Sequence, residues 1–441
     1  MLSIQTIRER TDDVRRALAA RASTAPLDRV LALDEQRRAL LGEVERMRAD
    51  RNRAGKAIGG AGDAAERARL IEEQRAVAGS IDALEAQLRA VDTELDALLL
   101  EIPNIPHPDV VIGTEAESVV VLEGDGARRT ERRLDPPVPL ADYPAPQDGG
   151  ALKPHWELGE RLGIIDFERG VKISGSQFYV LCGDGARLQR ALIAWMLDVH
   201  REQGYSEVYP PALVKEEMLV GTGQLPKFAD TMFHIEGTDL WLNPTAEVPV
   251  TNLYRDEILD AADLPIRHTA YTPCFRHEQF SAGAASRGIK RGYQFDKVEM
   301  VRFEDEHSSW AALELLLDDA IEIARRLGLR YRVLRLATGD LTFASAMTYD
   351  IEVWAPGARE WLEVSSVSNF EGFQGRRANL RYRDADGTVR TLHTLNGSGL
   401  ALPRTLAAVL ETFQLEDGSI ELPPPLRPYL GGQATITIRG S

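Results

Sequence analysis

Pro273-Cys274-Phe275-Arg276-His277-Glu278, then a turn rich in glycine, alanine and serine, then Arg291-Gly292-Tyr293-Gln294-Phe295-Asp296-Lys297-Val298-Glu299-Met300: this stretch reads as two strand-like ends flanking a loop that carries Arg287, Lys290 and Arg291. On a strand, Arg276 and Glu278 alternate with Phe275 and His277 and so share one face. Glu299 sits on the returning strand between Val298 and Met300. An arginine and two carboxylates on neighbouring strands of a core sheet are costly unless a charged group pairs with them. The pattern predicts a site for a charged ligand, zwitterionic or phosphorylated.

On the C-terminal side, Trp310, Leu313, Leu317, Ile321 and Ala324 mark a helix stopped at Gly328. Strand patterns follow at 329–336, 349–354, 360–366, 378–383 and 389–395, joined by short turns such as Asp386-Gly387. Consecutive strands with short turns predict an antiparallel sheet rather than alternating βα units. A final helix over about 402–413 follows Gly397-Ser398-Gly399, a glycine-rich helix entry. On the N-terminal side, Leu188, Leu192, Trp195 and Val199 mark a helix ended by Gly204, and a strand at 205–209 stops at Pro210-Pro211.

The region of about 27–100 stands apart. It has no proline between Pro26 and Pro103, and Val77, Ile81, Leu84, Leu88, Val91, Leu95 and Leu98 recur at alternating steps of four and three. Such a heptad seam, matched less strictly by Leu33, Arg37, Leu40, Val44 and Met47, predicts two long helices. Ile58-Gly59-Gly60-Ala61-Gly62-Asp63 supplies a helix stop, a turn and an N-cap, so the pair forms an antiparallel hairpin arm of roughly 45 Å. Arg46, Arg48, Arg51, Arg53 and Lys56 bunch near its turn. The seam alone fits a dimerisation coiled coil as well as a free arm, and the basic cluster fits a polyanion partner or a solvated helix face.

From 101 to 148 prolines recur, as in Ile102-Pro103-Asn104-Ile105-Pro106-His107-Pro108 and Asp135-Pro136-Pro137. This predicts a linker with little regular structure apart from a short strand at 118–122. The expected organisation is an N-terminal domain over 1–110, a linker over 111–150 and a main domain over 151–441.

Composition bounds the partners. The 441 residues are 44% hydrophobic and carry a net charge of −16, which argues against nucleic-acid binding by the surface as a whole and leaves a local basic patch as the way to do it. No apolar run approaches the roughly 18 residues of a membrane span, and the N-terminus goes straight into a charged amphipathic pattern unlike a signal peptide. Two distant cysteines, Cys182 and Cys274, support neither a disulfide framework nor a cysteine-based zinc site, so a cytoplasmic location and no zinc are expected. No Gly-x-x-x-x-Gly-Lys-Ser/Thr loop, Gly-x-Gly-x-x-Gly turn, His-Glu-x-x-His pair or Gly-x-Ser-x-Gly elbow is present.

The helix and strand ending at Pro211, the Arg276-His277-Glu278 strand with its loop, and the helix carrying Arg404 resemble, in this order, the three signature motifs of class II aminoacyl-tRNA synthetases. Further segments are similar to bacterial-type seryl-tRNA synthetases: 221–228, Thr245-Ala246-Glu247, Gln294-Phe295-Asp296-Lys297-Val298-Glu299, 373–379 and Thr394-Leu395-Asn396-Gly397-Ser398-Gly399. The resemblance covers essentially the whole chain, arm included. It implies an α+β fold: an N-terminal antiparallel helical hairpin (coiled-coil) arm and a class II antiparallel β-sheet catalytic domain flanked by helices. It implies ATP-dependent attachment of L-serine to tRNA(Ser) through seryl-adenylate, serylation of tRNA(Sec) as well, Mg2+ as cofactor, and a homodimer.

Carried over residue by residue, the resemblance gives Arg276 and Arg404 catalytic roles, with Arg276 bridging the serine carboxylate and the α-phosphate. It places Thr245, Ala246, Glu247, Arg276, Glu299, Asn396 and Ser398 on serine. It places Arg276, His277, Glu278, Gly292, Phe295, Glu363, Val364, Ser365, Ser366 and Arg404 on ATP, with Glu278 at the adenine, Phe295 stacked on it, and Glu363 and Ser366 holding the metal. Arg46, Arg48, Arg51, Arg53 and Lys56 fall to tRNA. The chain departs from the family pattern at Tyr293 (usually histidine), His277, Val367 (commonly cysteine) and the Ala284-Ala285 pair (usually basic-acidic). These departures leave a specialised or inhibitor-resistant duplicate with altered acceptor handling as the alternative. The carrier-protein ligases of the same lineage lack the arm.

Overall fold

The computed structural model describes residues 1–60, 62–146, 152–277 and 287–438. They divide into two compact units: Met1–Ala19 with Ser23–Pro103, and Ala20–Ala22 with Asn104–Ser441.

The first unit is helical. Two short helices, α1 (Ile4–Glu9) and α2 (Thr11–Ala20), precede α3 (Leu27–Gly60) and α4 (Ala64–Leu99). Asp63 is the N-cap of α4, its carboxylate accepting from the Ala65 backbone N–H. At 34 and 36 residues the long helices run roughly 50 Å each. The two long helices pack on each other, and Ile81, Val91 and Leu95 of the seam are buried, as are Leu33, Leu40 and Val44. Arg29–Glu94 (2.6 Å), Arg37–Asp92 (2.6 Å) and Arg48–Glu85 (2.7 Å) bridge the helices with opposed numbering, the mark of an antiparallel pair. Such exposed ion pairs contribute little energy each and serve mainly to fix register.

The second unit is built on nine strands: β1 (Val119–Asp125), β2 (Thr130–Pro139), β3 (Ser206–Glu207), β4 (Ile266–Phe275), β5 (Gln294–Glu304), β6 (Arg330–Arg335), β7 (Met347–Ala355), β8 (Glu360–Asn369) and β9 (His393–Ala401). Their order across the sheet is β2-β1-β6-β7-β8-β9-β5-β4-β3, antiparallel throughout except for the parallel pair β3–β4. Helices α5 (Asp184–Glu202), α6 (Ser309–Leu327) and α7 (Leu402–Thr412) cover one face. Val298 and Met300 of β5 join Leu192, Leu313 and Leu406 in that core. By strand alternation Phe295, Lys297 and Glu299 look the other way. No helix among the described residues is long and apolar enough to cross a membrane.

Three expectations need correction. The segment read as a linker with one short strand at 118–122 contains that strand, β1, but also a second, β2, and β1 pairs with β6 in the main sheet. Pro136, Pro137 and Pro139 lie on β2, an edge strand, where a missing N–H costs no ladder bond on the outer side. Gly397-Ser398-Gly399, read as a helix entry, is the interior of β9, which runs to Ala401 before α7 begins. The stretch 378–383 is a strand only over Arg381–Arg383, preceded by a short helix, Gly372–Arg377.

Glycines in β9 admit close neighbours. A Cβ on Gly397 would lie 3.2 Å from Val367 Cγ2, and one on Gly399 would lie 2.1 Å from Nε2 of His200, the ring that meets the Gly399 carbonyl at 2.9 Å. Gly399→Ala should therefore destabilise the unit by about 2 kcal/mol or more, seen as a lower thermal midpoint. Adding His200→Ala to that variant should restore part of the loss.

Candidate active site

The other face of β5 carries a cluster of buried charge. Lys297 and Glu299, two residues apart and so on one face, form an ion pair with side chains only 8% and 0% exposed. Thr245 Oγ1 donates to Glu299 Oε2 at 3.0 Å. Asn396 on β9 donates to Glu299 Oε1 and to Glu247 Oε2, both at 3.1 Å. Gln374 Nε2 donates to the other Glu247 oxygen at 2.6 Å. Two carboxylates thus face one ammonium. Burial, and then the Glu299 charge, push the Glu247 carboxyl up to about 7. A carboxylate pair held in this way gains from a cationic ligand that restores neutrality.

A cationic wall adjoins this pocket. Arg276 lies just past the end of β4, its backbone N–H donating to the Tyr293 carbonyl at 2.9 Å and its Nε to the Pro244 carbonyl at 3.2 Å. Its guanidinium stands 5.2 Å from the centre of the Phe295 ring. Arg404, in the first turn of α7, donates to the Glu363 carbonyl (2.7 Å) and the Lys290 carbonyl (3.2 Å). Lys290 pairs with Glu360 at 2.5 Å. Arg276, Lys290, Arg291 and Arg404 line one cavity of about 550 Å3, a setting suited to a polyanion with several phosphates.

The cavity also holds acids, and the Glu363 carboxylate pairs with Arg404 at 3.2 Å. Glu363 and Ser366 are three apart and would face opposite ways on a regular strand. A bulge at Val364 corrects this: Ser365 pairs with Ile351 but Glu363 with Glu352. Glu363, Ser366 and the opposing Asp350 all line the cavity. Burial, and then the Glu363 charge, raise the Asp350 carboxyl well above its usual range, and its Oδ1 is buried without a hydrogen-bond partner. These hard oxygen donors fit a divalent cation such as Mg2+. Among the described residues no group of three His, Cys, Asp or Glu could hold a metal unaided, so ligand oxygens would complete its shell.

Thr245, Glu247, Arg276, Gly292, Phe295, Glu363, Val364, Ser366, Asn396, Ser398 and Arg404 all line this cavity, and Glu299 is buried against it through Thr245 and Asn396. Ala246, His277 and Ser365 do not line it. Ala246 is fully buried. His277 is exposed, with its ring beside Phe233 and Tyr293. The Ser365 hydroxyl donates to the Ser398 carbonyl at 2.7 Å. The expectation that Arg276 and Glu278 share a strand face fails for Arg276, since β4 ends at Phe275; Glu278 and Ala284-Ala285 lie outside the described residues. Of the departures, Tyr293 joins a cluster with Phe178 and Phe233, and Val367 is core. In the arm, Arg48 pairs with Glu85 and Arg53 with Asp50.

Sequence reasoning did not single out Lys297, Asp350 or Gln374. The period-two spacing of Phe295, Lys297 and Glu299 would have found the first. Asp350 and Gln374 enter only through strand pairing and helix placement.

Comparison with known proteins agrees with this architecture. Residues 1–106 match the seryl-tRNA synthetase N-terminal domain, and residues 232–413 match the tRNA synthetase class II core domain (G, H, P, S and T). The chain is 56% identical over 438 residues to a serine–tRNA ligase of Chloroflexus aurantiacus, covering 99% of this chain and 100% of that one. It is 55% identical to one of Thermomicrobium roseum, covering 99% and 95%. A crystal structure of seryl-tRNA synthetase from Pyrococcus horikoshii, complexed with ATP, superposes with a TM-score of 0.91 at 34% identity over 100% of both chains.

An acid whose folded pKa is raised keeps a proton that the unfolded chain releases, so its contribution to stability declines as pH rises through that window. For Glu247 the window runs from 4.5 to about 7. Denaturant titrations of the ligand-free protein at pH 4.5 to 8 should show wild-type stability falling relative to Glu247→Gln by up to about 3 kcal/mol. A difference that is flat with pH would show that Glu247 does not titrate there.

Proposed function

The chain belongs to the seryl-tRNA synthetases, and on that premise we propose that its cavity activates L-serine with ATP and passes the serine to tRNA(Ser). The observation that carries the assignment is the meeting of a net-negative pocket and a cationic wall in one cavity. A zwitterion bound beside a triphosphate needs that layout.

In this reading the serine ammonium lies among Glu247, Glu299 and Thr245, and its hydroxyl meets Ser398 and Asn396. A pocket that hydrogen-bonds a hydroxyl rejects alanine because its own polar groups would be left unpaired. The serine carboxylate is held by Arg276 for in-line attack on the α-phosphorus. One carboxylate oxygen forms the new bond to phosphorus and pyrophosphate leaves with the electron pair of the bond that breaks, giving seryl-adenylate. Arg276 offsets the charge gathering on the α-phosphate. The adenine stacks on Phe295, with Arg404 on its opposite face and towards the γ-phosphate and Glu278 at its edge. Magnesium, when bound, neutralises the phosphates; Glu363, Ser366 and Asp350 would hold it. A ribose hydroxyl of the terminal adenosine of tRNA then attacks the seryl carbonyl; the bond from that carbon to the phosphate oxygen breaks, AMP departs with its electron pair, and the hydroxyl proton passes to the AMP phosphate.

The basic cluster of Arg46, Arg48, Arg51, Arg53 and Lys56 on the arm contacts the tRNA backbone, reading shape. The same recognition extends to tRNA(Sec). The protein acts in the cytoplasm as a homodimer, and the exposed apolar side chains Ile173 and Tyr209 are ones an interface between copies would cover.

ATP–pyrophosphate exchange run with each standard amino acid should respond to serine, and charging of total tRNA should follow; no serine-dependent exchange would overturn the reading. Arg276→Ala should lower exchange roughly 10²- to 10³-fold. Deleting residues 27–100 should leave exchange largely intact and abolish charging, and undiminished charging would remove tRNA from the arm.

A further inference from the structure

Gln374 sits on the short helix Gly372–Arg377 and is fully buried. Every hydrogen-bonding atom of its side chain is engaged. Nε2 lies 3.1 Å from the Thr222 carbonyl and 2.6 Å from Glu247 Oε1. Oε1 lies 2.7 Å from the hydroxyl of Thr394 on β9. A backbone carbonyl can only accept, so the atom beside Thr222 must be the amide nitrogen. That fixes the direction of the whole chain: Thr394 donates to Gln374, and Gln374 donates to Glu247. The helix itself is tied to the same 220–225 segment, for Arg377 donates to the carbonyls of Val220 (2.7 Å) and Leu225 (2.9 Å).

We infer that Gln374 is a positioning residue for amino-acid recognition: its amide holds the Glu247 carboxylate in the orientation that receives the serine ammonium. The inference rests on the reading of Glu247 as part of the amine site.

Glu247 is held at both oxygens, by Gln374 at one and Asn396 at the other, and donors at a carboxylate favour its charged form. The charged groups around it are Glu299 and Lys297 on β5 and Arg276 beyond β4. Burial and Glu299 favour its protonation. Gln374 opposes them first, followed by Lys297 and Arg276. Without the Gln374 donor, Glu247 holds its proton to higher pH, and a neutral carboxyl cannot pair with an ammonium. Gln374 touches no substrate in this arrangement and acts through Glu247.

The test uses full-length protein and serine-dependent ATP–pyrophosphate exchange from pH 6 to 9. Gln374→Met keeps the volume and removes the donor. At pH 7 it should raise the KM for serine roughly ten- to a hundredfold and move the acid limb of kcat/KM for serine to higher pH. The kcat at saturating serine and the KM for ATP should stay within about twofold of wild type. Thr394→Val leaves Gln374 in place but takes away the donor to its oxygen; it should move the same two quantities in the same direction by less, and it serves if Gln374→Met does not fold. An unmoved acid limb, or equal losses for serine and ATP, would overturn the inference. Glu247→Gln distinguishes a failure at Gln374 from a failure of the amine site. If it raises the serine KM while Gln374→Met does not, Gln374 has no positioning role. If Glu247→Gln leaves the serine KM unchanged, the amine-site reading fails and takes this inference with it.

Discussion

Two carboxylates buried in one pocket, Glu247 and Glu299, are the constraint around which the rest of this site is arranged. Like charges so placed repel each other and lose hydration, and they persist only where donors meet their oxygens. Those donors come from separate parts of the chain: Lys297 from the same strand, Asn396 from the next, Thr245 from the preceding segment and Gln374 from a short helix. The strand order β9-β5-β4 brings them together. With Glu299 opposite Ser398 and Val301 opposite Asn396, two polar residues of β9 arrive beside the glutamate at the spacing a side-chain network needs.

The cavity brings both signs of charge together: Glu247, with Glu299 held against it, the cations Arg276, Lys290, Arg291 and Arg404, and the acids Glu363 and Asp350. Several of these charges pair within the protein, Arg404 with Glu363 and Lys290 with Glu360, while burial and a neighbouring acid raise the carboxyls of Glu247 and Asp350. Burying these acids together costs stability, a common trade at active sites. The helices on the opposite face of the sheet carry the compensating apolar burial.

Much of the fold was legible in the chain itself. The seam of Ile81, Val91 and Leu95, with Leu33, Leu40 and Val44, follows from spacing alone, because a helix face is fixed by its period. The main strands were equally readable, and Gly328 ended its helix where its left-handed backbone requires glycine. Other features were not. Proline suppressed β2, since edge position, the condition that tolerates proline, is a property of the assembled sheet. Gly397 and Gly399 read as a helix entry because the close packing that requires them comes from Val367 and His200, distant in sequence. Glu363 and Ser366 face one cavity only because Val364 is bulged out of register.

The sequence by itself determined the helical arm, the antiparallel class of the sheet and the residue types of the site, because these depend on local periodicity and on motifs that stand complete within short segments. Tertiary structure alone decided which of those residues touch. It put Asp350 opposite Ser366, set the Gln374 amide between Thr394 and Glu247, and turned Ser365 away from the cavity into β9. The reason is physical: hydrogen-bond partners and buried charge are settled by strand register and helix placement, and these come from packing the whole core rather than from any one segment.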